Sequence, residues 1–165
     1  MLIATIGNAS GRVIDQGNDH MGRWSYQKFG CKNQRTFYII SAYQVCTDHI
    51  IVNDKVKTLT ATAQQTSILR KSGRDMKPRK AFVSDLKKII TELKKDGSGI
   101  MLAGDFNETL EISYDGMTKL VSDFNFKDIM WHASGRDDFA TYIRGNTRID
   151  YVVADDWISN QVVTA

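Results

Sequence analysis

Asp105 and Asn107 stand two residues apart in Gly104-Asp105-Phe106-Asn107, directly after the apolar run Ile100-Met101-Leu102-Ala103. A short apolar run bounded by Gly99 and Gly104 reads as a buried strand. An extended backbone alternates its side chains, which puts the carboxylate and the carboxamide on one side where the strand leaves its sheet. Such a pair can hold a water or a metal-bound phosphate; the same four residues are also ordinary turn chemistry. A second acid, Asp150, lies between Ile149 and Tyr151 in a segment that continues Val152-Val153. An acid flanked by apolar residues in a strand is costly unless it is paired or faces a polar site. Tyr43 closes the run from Arg35 and reads either as a phenolic donor or as a half-buried aromatic of the kind strands favour.

These groups need elements to position them. Ile3 to Ile6, Arg12 to Asp15, Arg23 to Phe29 and Arg35 to Tyr43 read as successive strands, with Gly30 to Gln34 as the turn between the last two. A weaker helical pattern runs through Val56, Leu59, Ala63 and Leu69. The clearest helix starts near Pro78, where Phe82, Leu86, Ile89, Ile90 and Leu93 recur at helical spacing. Pro78 suits its first turn, Lys94 and Lys95 its last, and Gly97 its stop. Met117, Leu120, Val121 and Phe124 predict a shorter helix after the acidic motif. Thr141 to Val153 reads as two strands joined by a Gly145-Asn146 turn. Strands first, then helix, strand, helix and strand predict a mixed α/β (α+β) domain.

The bulk properties bound the function classes. At 165 residues and 42% hydrophobic content, the chain is one domain with enough apolar material for a core. Twenty-two Lys and Arg against nineteen Asp and Glu leave a net charge of +3, compatible with a polyanionic partner. Positive charge concentrates between Arg70 and Lys80, a stretch that either contacts phosphates or is a solvated connection. Cys31 and Cys46 lack metal-ligand spacing and read as reduced rather than disulfide-bonded. No apolar run approaches the ~20 residues of a membrane span. Residues 1–6 do not read as a signal peptide, so an intracellular protein, nuclear or cytoplasmic, is the expectation.

Gly104-Asp105-Phe106-Asn107 and Arg148-Ile149-Asp150-Tyr151, with Ser41-Ala42-Tyr43 upstream, resemble in this order the endonuclease/exonuclease/phosphatase superfamily. Their form looks most like the endonuclease domains of LINE-type retrotransposons, and the likeness extends over residues 3–155. The resemblance implies a four-layer α/β/β/α sandwich and hydrolysis of phosphodiesters or phosphomonoesters assisted by Mg²⁺ or Mn²⁺. By motif, Asp105 would position or deprotonate the attacking water and contribute to metal binding. Asn107 would keep Asp105 and a phosphate oxygen in register. Tyr43 would hydrogen-bond the phosphoryl oxygens or leaving group, and Asp150 would orient a catalytic histidine. Tyr142, Arg148, Arg79 and Lys80 are the substrate-binding candidates, Arg148 reading also as a structural partner for a nearby carboxylate. The implied partner is nucleic acid, DNA first among the substrates, with no membrane; the oligomeric state is not legible.

The chain also departs from that pattern. The superfamily carries an upstream strand with an Asn and a segment with a metal-binding Glu, then ends on an Asp-His pair beyond Arg-Ile-Asp-Tyr. The glutamates here are Glu92, Glu108 and Glu111, out of order for that role. His20 and His49 precede the acidic motif, and His132 reads as a loop or capping residue. The expectation is therefore a single domain over residues 1–165 that lacks the first and last strands of the sandwich. Its function would be that of a retroelement-type DNA endonuclease or a fragment of one. The alternatives are a non-catalytic remnant that binds nucleic acid or a partner, and a phosphatase of the same superfamily.

Overall fold

Phe82, Leu86, Ile90 and Leu93 lie on one face of a helix, and in the structure, a computed structural model, all four are buried on α2 (Pro78–Leu93). Pro78 occupies the first turn, where its missing N–H costs nothing. The helix runs into a 3₁₀ turn at Lys94–Asp96 and stops at Gly97, whose φ of 77° is the left-handed conformation glycine adopts readily. The structure describes residues 1–46, 50–52, 55–57, 60–110, 116–135, 140–142 and 146–162.

The strands β1 (Val13–Asn18), β2 (Trp24–Gly30), β3 (Thr36–Tyr43), β6 (Gly99–Asp105), β7 (Lys127–Asp128) and β8 (Asp150–Ala154) form one mixed sheet in the order β1-β2-β3-β6-β8-β7. Among the described strands, only β3 and β6 run parallel. Parallel neighbours need a long crossover, and this one contains β4 (Ile50–Val52), β5 (Lys55–Lys57), α1 (Thr60–Lys71) and α2. The two strands β4 and β5 pair with each other as a separate ribbon. Tyr38, Ile40, Ala42, Ile100, Leu102, Tyr151 and Val153 alternate onto the sheet face that meets α2 and α3 (Gly116–Asp123). Phe37, Met101 and Val152 occupy the opposite face, against a smaller cluster formed by Ile129, Ala154 and Ile158. That cluster draws on α4 (Ile129–Ser134) and α5 (Asp156–Ser159).

A buried ion network fastens the β1–β2 connection to the helical layer. Arg23, 2% exposed, donates Nε and Nη2 to Asp19 at 2.7 and 3.0 Å, and Nη2 also to Asp85 of α2 at 3.0 Å. Arg74 forks onto Asp85 at 2.6 and 2.7 Å. Burial alone would raise both carboxyls, but the guanidinium partners prevail and hold Asp19 and Asp85 below the ordinary carboxylate range.

The helices anticipated at Pro78 and around Met117, and the strands beginning near residues 12, 23, 35 and 99, are all present. Ile3 to Ile6 is not a strand: it has apolar letters but no neighbouring ladder, and Ile6 remains exposed. The helical pattern drawn through Val56 begins later, at Thr60, because Val56 belongs to β5; Leu59 lies outside the described residues. Of the hairpin anticipated over Thr141 to Val153, the second strand is present over Asp150–Ala154. Thr141 and Tyr142 are not in a strand, and residues 143–145 lie outside the described residues. The short helices α4 and α5 were not anticipated, although each has a legible start. The Asp128 carboxylate accepts from the N–H groups of Met130 and Trp131, and Asp155 accepts from Ile158.

At Gly104, β3 and β6 pass so closely that an added β-carbon would collide with the Ala42 carbonyl. Gly104→Ala is therefore expected to destabilise the fold by about 3 kcal/mol, the upper end of core overpacking, read as a lowered urea midpoint. An unchanged midpoint would show that the two strands are free to part.

Candidate active site

Three side chains are brought into one row by strand register. Tyr43 of β3 is the Cα partner of Asp105 of β6, and Asp105 is the partner of Asp150 of β8. Paired residues on adjacent strands share a face, and strands lie about 4.8 Å apart. The row thus spans about 10 Å at one end of the sheet, on the face opposite α2. Backbone pairing continues around it: Tyr43 N–H donates to the Arg23 carbonyl at 2.8 Å, Gln44 to Asp105 at 2.9 Å, and Phe106 to Ile149 at 2.9 Å.

Asn107 reaches this site differently from the alternation expected of a continuing strand. β6 ends at Asp105, and Asn107 has a φ of 48°. The chain turns because the Asp105 carboxylate accepts the Asn107 backbone N–H at 2.9 Å, a local bond that competes with extension of the strand. The Asn107 side chain then ties the two loops together. It donates Nδ2 to the Gln44 carbonyl at 2.8 Å, and its Oδ1 accepts the Cys46 thiol at 3.2 Å. Cys31 and Cys46 are both free thiols.

Glu108 extends that tie to the helices. Its carboxylate accepts Arg79 at 2.6 Å, Gln44 Nε2 at 3.2 Å and the Met117 N–H at 2.5 Å. Arg79 donates its other terminal nitrogen to the Val45 carbonyl at 2.7 Å. The loops after β3 and β6 are thereby pinned to the first turns of α2 and α3. Sequence reading sets Glu108 aside as out of order for a metal ligand and passes over Gln44, although they directly follow Asn107 and Tyr43, and that adjacency was the available signal.

The remaining candidates fall in other places. Arg148, 7% exposed, forks onto Asp128 at 2.7 and 2.9 Å and lies over the Tyr151 ring at 4.4 Å. The structure therefore gives Arg148 a carboxylate partner, and also brings its Nε to the Asp150 carbonyl at 3.3 Å. Arg79 is engaged by Glu108, as described. Lys80 rims a hollow of about 500 Å³ shared with Gln44, Lys77, Arg79, Ser84 and Glu108, beside the row's supporting loop. Tyr142 is exposed next to Thr141, whose hydroxyl accepts the Asp150 N–H at 3.1 Å. His20 sits 3.5 Å from Asp19 on the β1–β2 connection, and His132 lies on α4. His49 lies outside the described residues.

The electrostatics of the row suit phosphate chemistry. Burial pushes the Asp105 carboxyl above its ordinary value; the Asn107 N–H opposes this, the charge on Asp150 adds to it, and Arg79 opposes it. Burial also raises the Tyr43 phenol, helped by Cys46 and Asp105, so it keeps its proton at neutral pH. Among the described residues, no group of three or more His, Cys, Asp or Glu gathers as a metal cluster. Mg²⁺, however, is commonly held by one or two carboxylates, with waters and phosphate oxygens completing its shell. Asp105 and Asp150 supply that number, and a cation between them would offset the charge that Asp150 adds to the burial of Asp105.

No protein-family model and no curated protein matches the sequence. Solved structures do. The chain is similar to the human Nocturnin catalytic domain with bound sulfate, at 14% identity and a TM-score of 0.53, over 88% of this chain and 49% of that one. It is also similar to the 3′ phosphatase NExo from Neisseria bound to a product DNA hairpin, at 14% identity and a TM-score of 0.50, over 86% and 55%. An endonuclease/exonuclease/phosphatase family protein from Bacteroides thetaiotaomicron aligns at 16% identity and a TM-score of 0.47, over 81% and 41%. The fold is thus the mixed α/β fold of the endonuclease/exonuclease/phosphatase type, and the chain spans about half the length of the solved structures it matches.

Because the folded-state pKa of Asp105 is raised, the stability it contributes is present below the unfolded value and lost as pH rises through the folded one. Asp105→Asn keeps an acceptor for the Asn107 N–H and removes the charge. It is expected to be more stable than the parent at about pH 7, with the gap closing towards pH 3, by urea melts at both. A gap independent of pH would place Asp105 in open solvent.

Proposed function

We propose that this chain carries the catalytic row of a divalent-metal-dependent phosphodiester hydrolase acting on nucleic acid, DNA in particular. The observation that supports this most is the cross-strand register that puts Tyr43, Asp105 and Asp150 side by side. The forms of the Gly-Asp-Phe-Asn and Arg-Ile-Asp-Tyr motifs favour an endonuclease of retroelement type, working inside the cell in the nucleus or cytoplasm.

In this reading, a substrate phosphate lies across the row. Asp105 takes the proton of the attacking water as general base. The new P–O bond forms as the bond to the leaving oxygen breaks, and that oxygen takes its proton from solvent. Tyr43, still protonated, donates a hydrogen bond to a phosphoryl oxygen as charge develops there. Asn107 and Glu108 act through position: they hold the loops that carry the base and the phenol. Asp105 and Asp150 would hold Mg²⁺ or Mn²⁺, which supplies charge neutralisation at the phosphate when bound. By the motif, Asp150 would also orient a catalytic histidine; His49 lies outside the described residues. Lys80, on the rim of the adjoining hollow, would meet a flanking phosphate and give position without sequence information.

Incubation of the purified chain with supercoiled plasmid and Mg²⁺ tests this reading. Nicking is expected, reduced at least ~10²-fold in Asp105→Ala, the lower range for loss of a general base. Salt-sensitive DNA binding without any nicking would replace the hydrolase with a non-catalytic binder. Nicking undiminished in Asp105→Ala would assign it to a contaminant.

A further inference from the structure

Arg79 stands among the substrate contacts that the motifs imply, yet its surroundings give it a different role. Both terminal nitrogens of its guanidinium are engaged within the protein: Nη1 donates to the Val45 carbonyl at 2.7 Å and Nη2 to Glu108 at 2.6 Å. Val45 follows Tyr43 by two residues, and Glu108 follows Asp105 by three. One planar group on α2 therefore spans the loops that leave the phenol and the base.

The receiving side is built around this fork. Glu108 is held on both oxygens, Oε2 by Arg79 and by Gln44 Nε2 at 3.2 Å, Oε1 by the Met117 N–H of α3. Gly116 makes room for that carboxylate: its φ is 62°, and a β-carbon there would lie 2.9 Å from Oε1. The side chains of the ion pair are 21% and 22% exposed, so water and salt screen them less than a surface pair. An incoming phosphate would meet a guanidinium already neutralised by Glu108, whereas Lys80, the next residue, is exposed. Lysine is no substitute for the fork, because one ammonium nitrogen lacks the planar pair of donors that reaches both acceptors.

We propose that Arg79 is a positioning residue: its guanidinium clamps the loops after β3 and β6 at one separation, fixing the Tyr43 phenol against the Asp105 carboxylate without touching substrate. The inference rests on the hydrolase reading for the reaction that this spacing serves. A misplacement of about 1 Å can cost ~10²-fold in rate, so a loosened clamp is read in turnover rather than in binding.

Two measurements on the intact chain test it, both in a Cys31→Ser background that leaves Cys46 as the single thiol. Cys46 directly follows Val45, and its thiol is held on Asn107 at 3.2 Å, so thiol labelling reads the clamp whether or not the chain cleaves DNA. Arg79→Gln is expected to speed Cys46 labelling at least ~10-fold and to lower kcat for plasmid nicking at least ~10-fold, with KM unchanged. The salt dependence of DNA binding should keep its slope, where loss of a phosphate contact would reduce it by about one. Arg79→Lys keeps the charge and covers the case in which Arg79→Gln does not fold; it should also speed labelling. A raised KM with a reduced salt slope would make Arg79 a phosphate contact and overturn the proposal. Cys46 labelling that stays slow in Arg79→Lys would overturn it too, since charge alone would then suffice. A parent that does not nick would remove the hydrolase reading only, the labelling still deciding whether Arg79 clamps the loops.

Discussion

The close approach of β3 and β6 at Gly104 governs everything the site can do. Parallel strands are joined through a long crossover, so no hairpin turn sets their register. Here the register rests on side-chain alternation and on one position where only hydrogen fits against the Ala42 carbonyl. With that contact made, Ile40 and Leu102 fall on the helical face together, and Tyr43 and Asp105 fall together on the other. A slip of one residue would exchange the two sets, exposing the core and burying the acid. Packing and chemistry are therefore selected by the same constraint.

The supporting layer is built from charge. Arg23 and Arg74 hold the β1–β2 connection and α2 around Asp19 and Asp85, while Arg79 and Glu108 hold the two loops that flank the row. In these pairs each carboxylate has a guanidinium within reach. In the row, burial raises the Asp105 carboxyl and the charge on Asp150 adds to it, while Asp19 and Asp85 are lowered. Paired titratable groups driven in opposite directions in one small domain separate scaffold from site.

Much of this was legible from residue order, and the exceptions are instructive. Helical spacing from Pro78 and the apolar run ending at Gly104 marked α2 and β6 because burial on one helix face or in a strand leaves a periodic trace. Asp105, Asp150 and Tyr43 stood out because each ends or interrupts such a trace. Ile3 to Ile6 misled because apolar letters identify a strand only where a partner edge exists. Asn107 misled because an Asx bond, invisible to periodicity, turned the chain. Arg148 showed both possible roles in sequence, and the fold gives it a carboxylate partner in Asp128 that residue order did not reveal. Glu108 and Gln44 offered only their adjacency to Asn107 and Tyr43, and Arg23 its spacing of four from Asp19; their other partners, Arg79, Met117 and Asp85, are reached only through the fold.

The most direct test of the account is the carboxyl titration of Asp105, followed by NMR in the parent and in Asp150→Asn. If the two acids share one row, removing the charge at Asp150 lowers the Asp105 pKa, and Asp105 titrates at more acidic pH. An Asp105 titration that does not move would mean the two carboxylates do not face each other, and the hydrolytic row would fail with it.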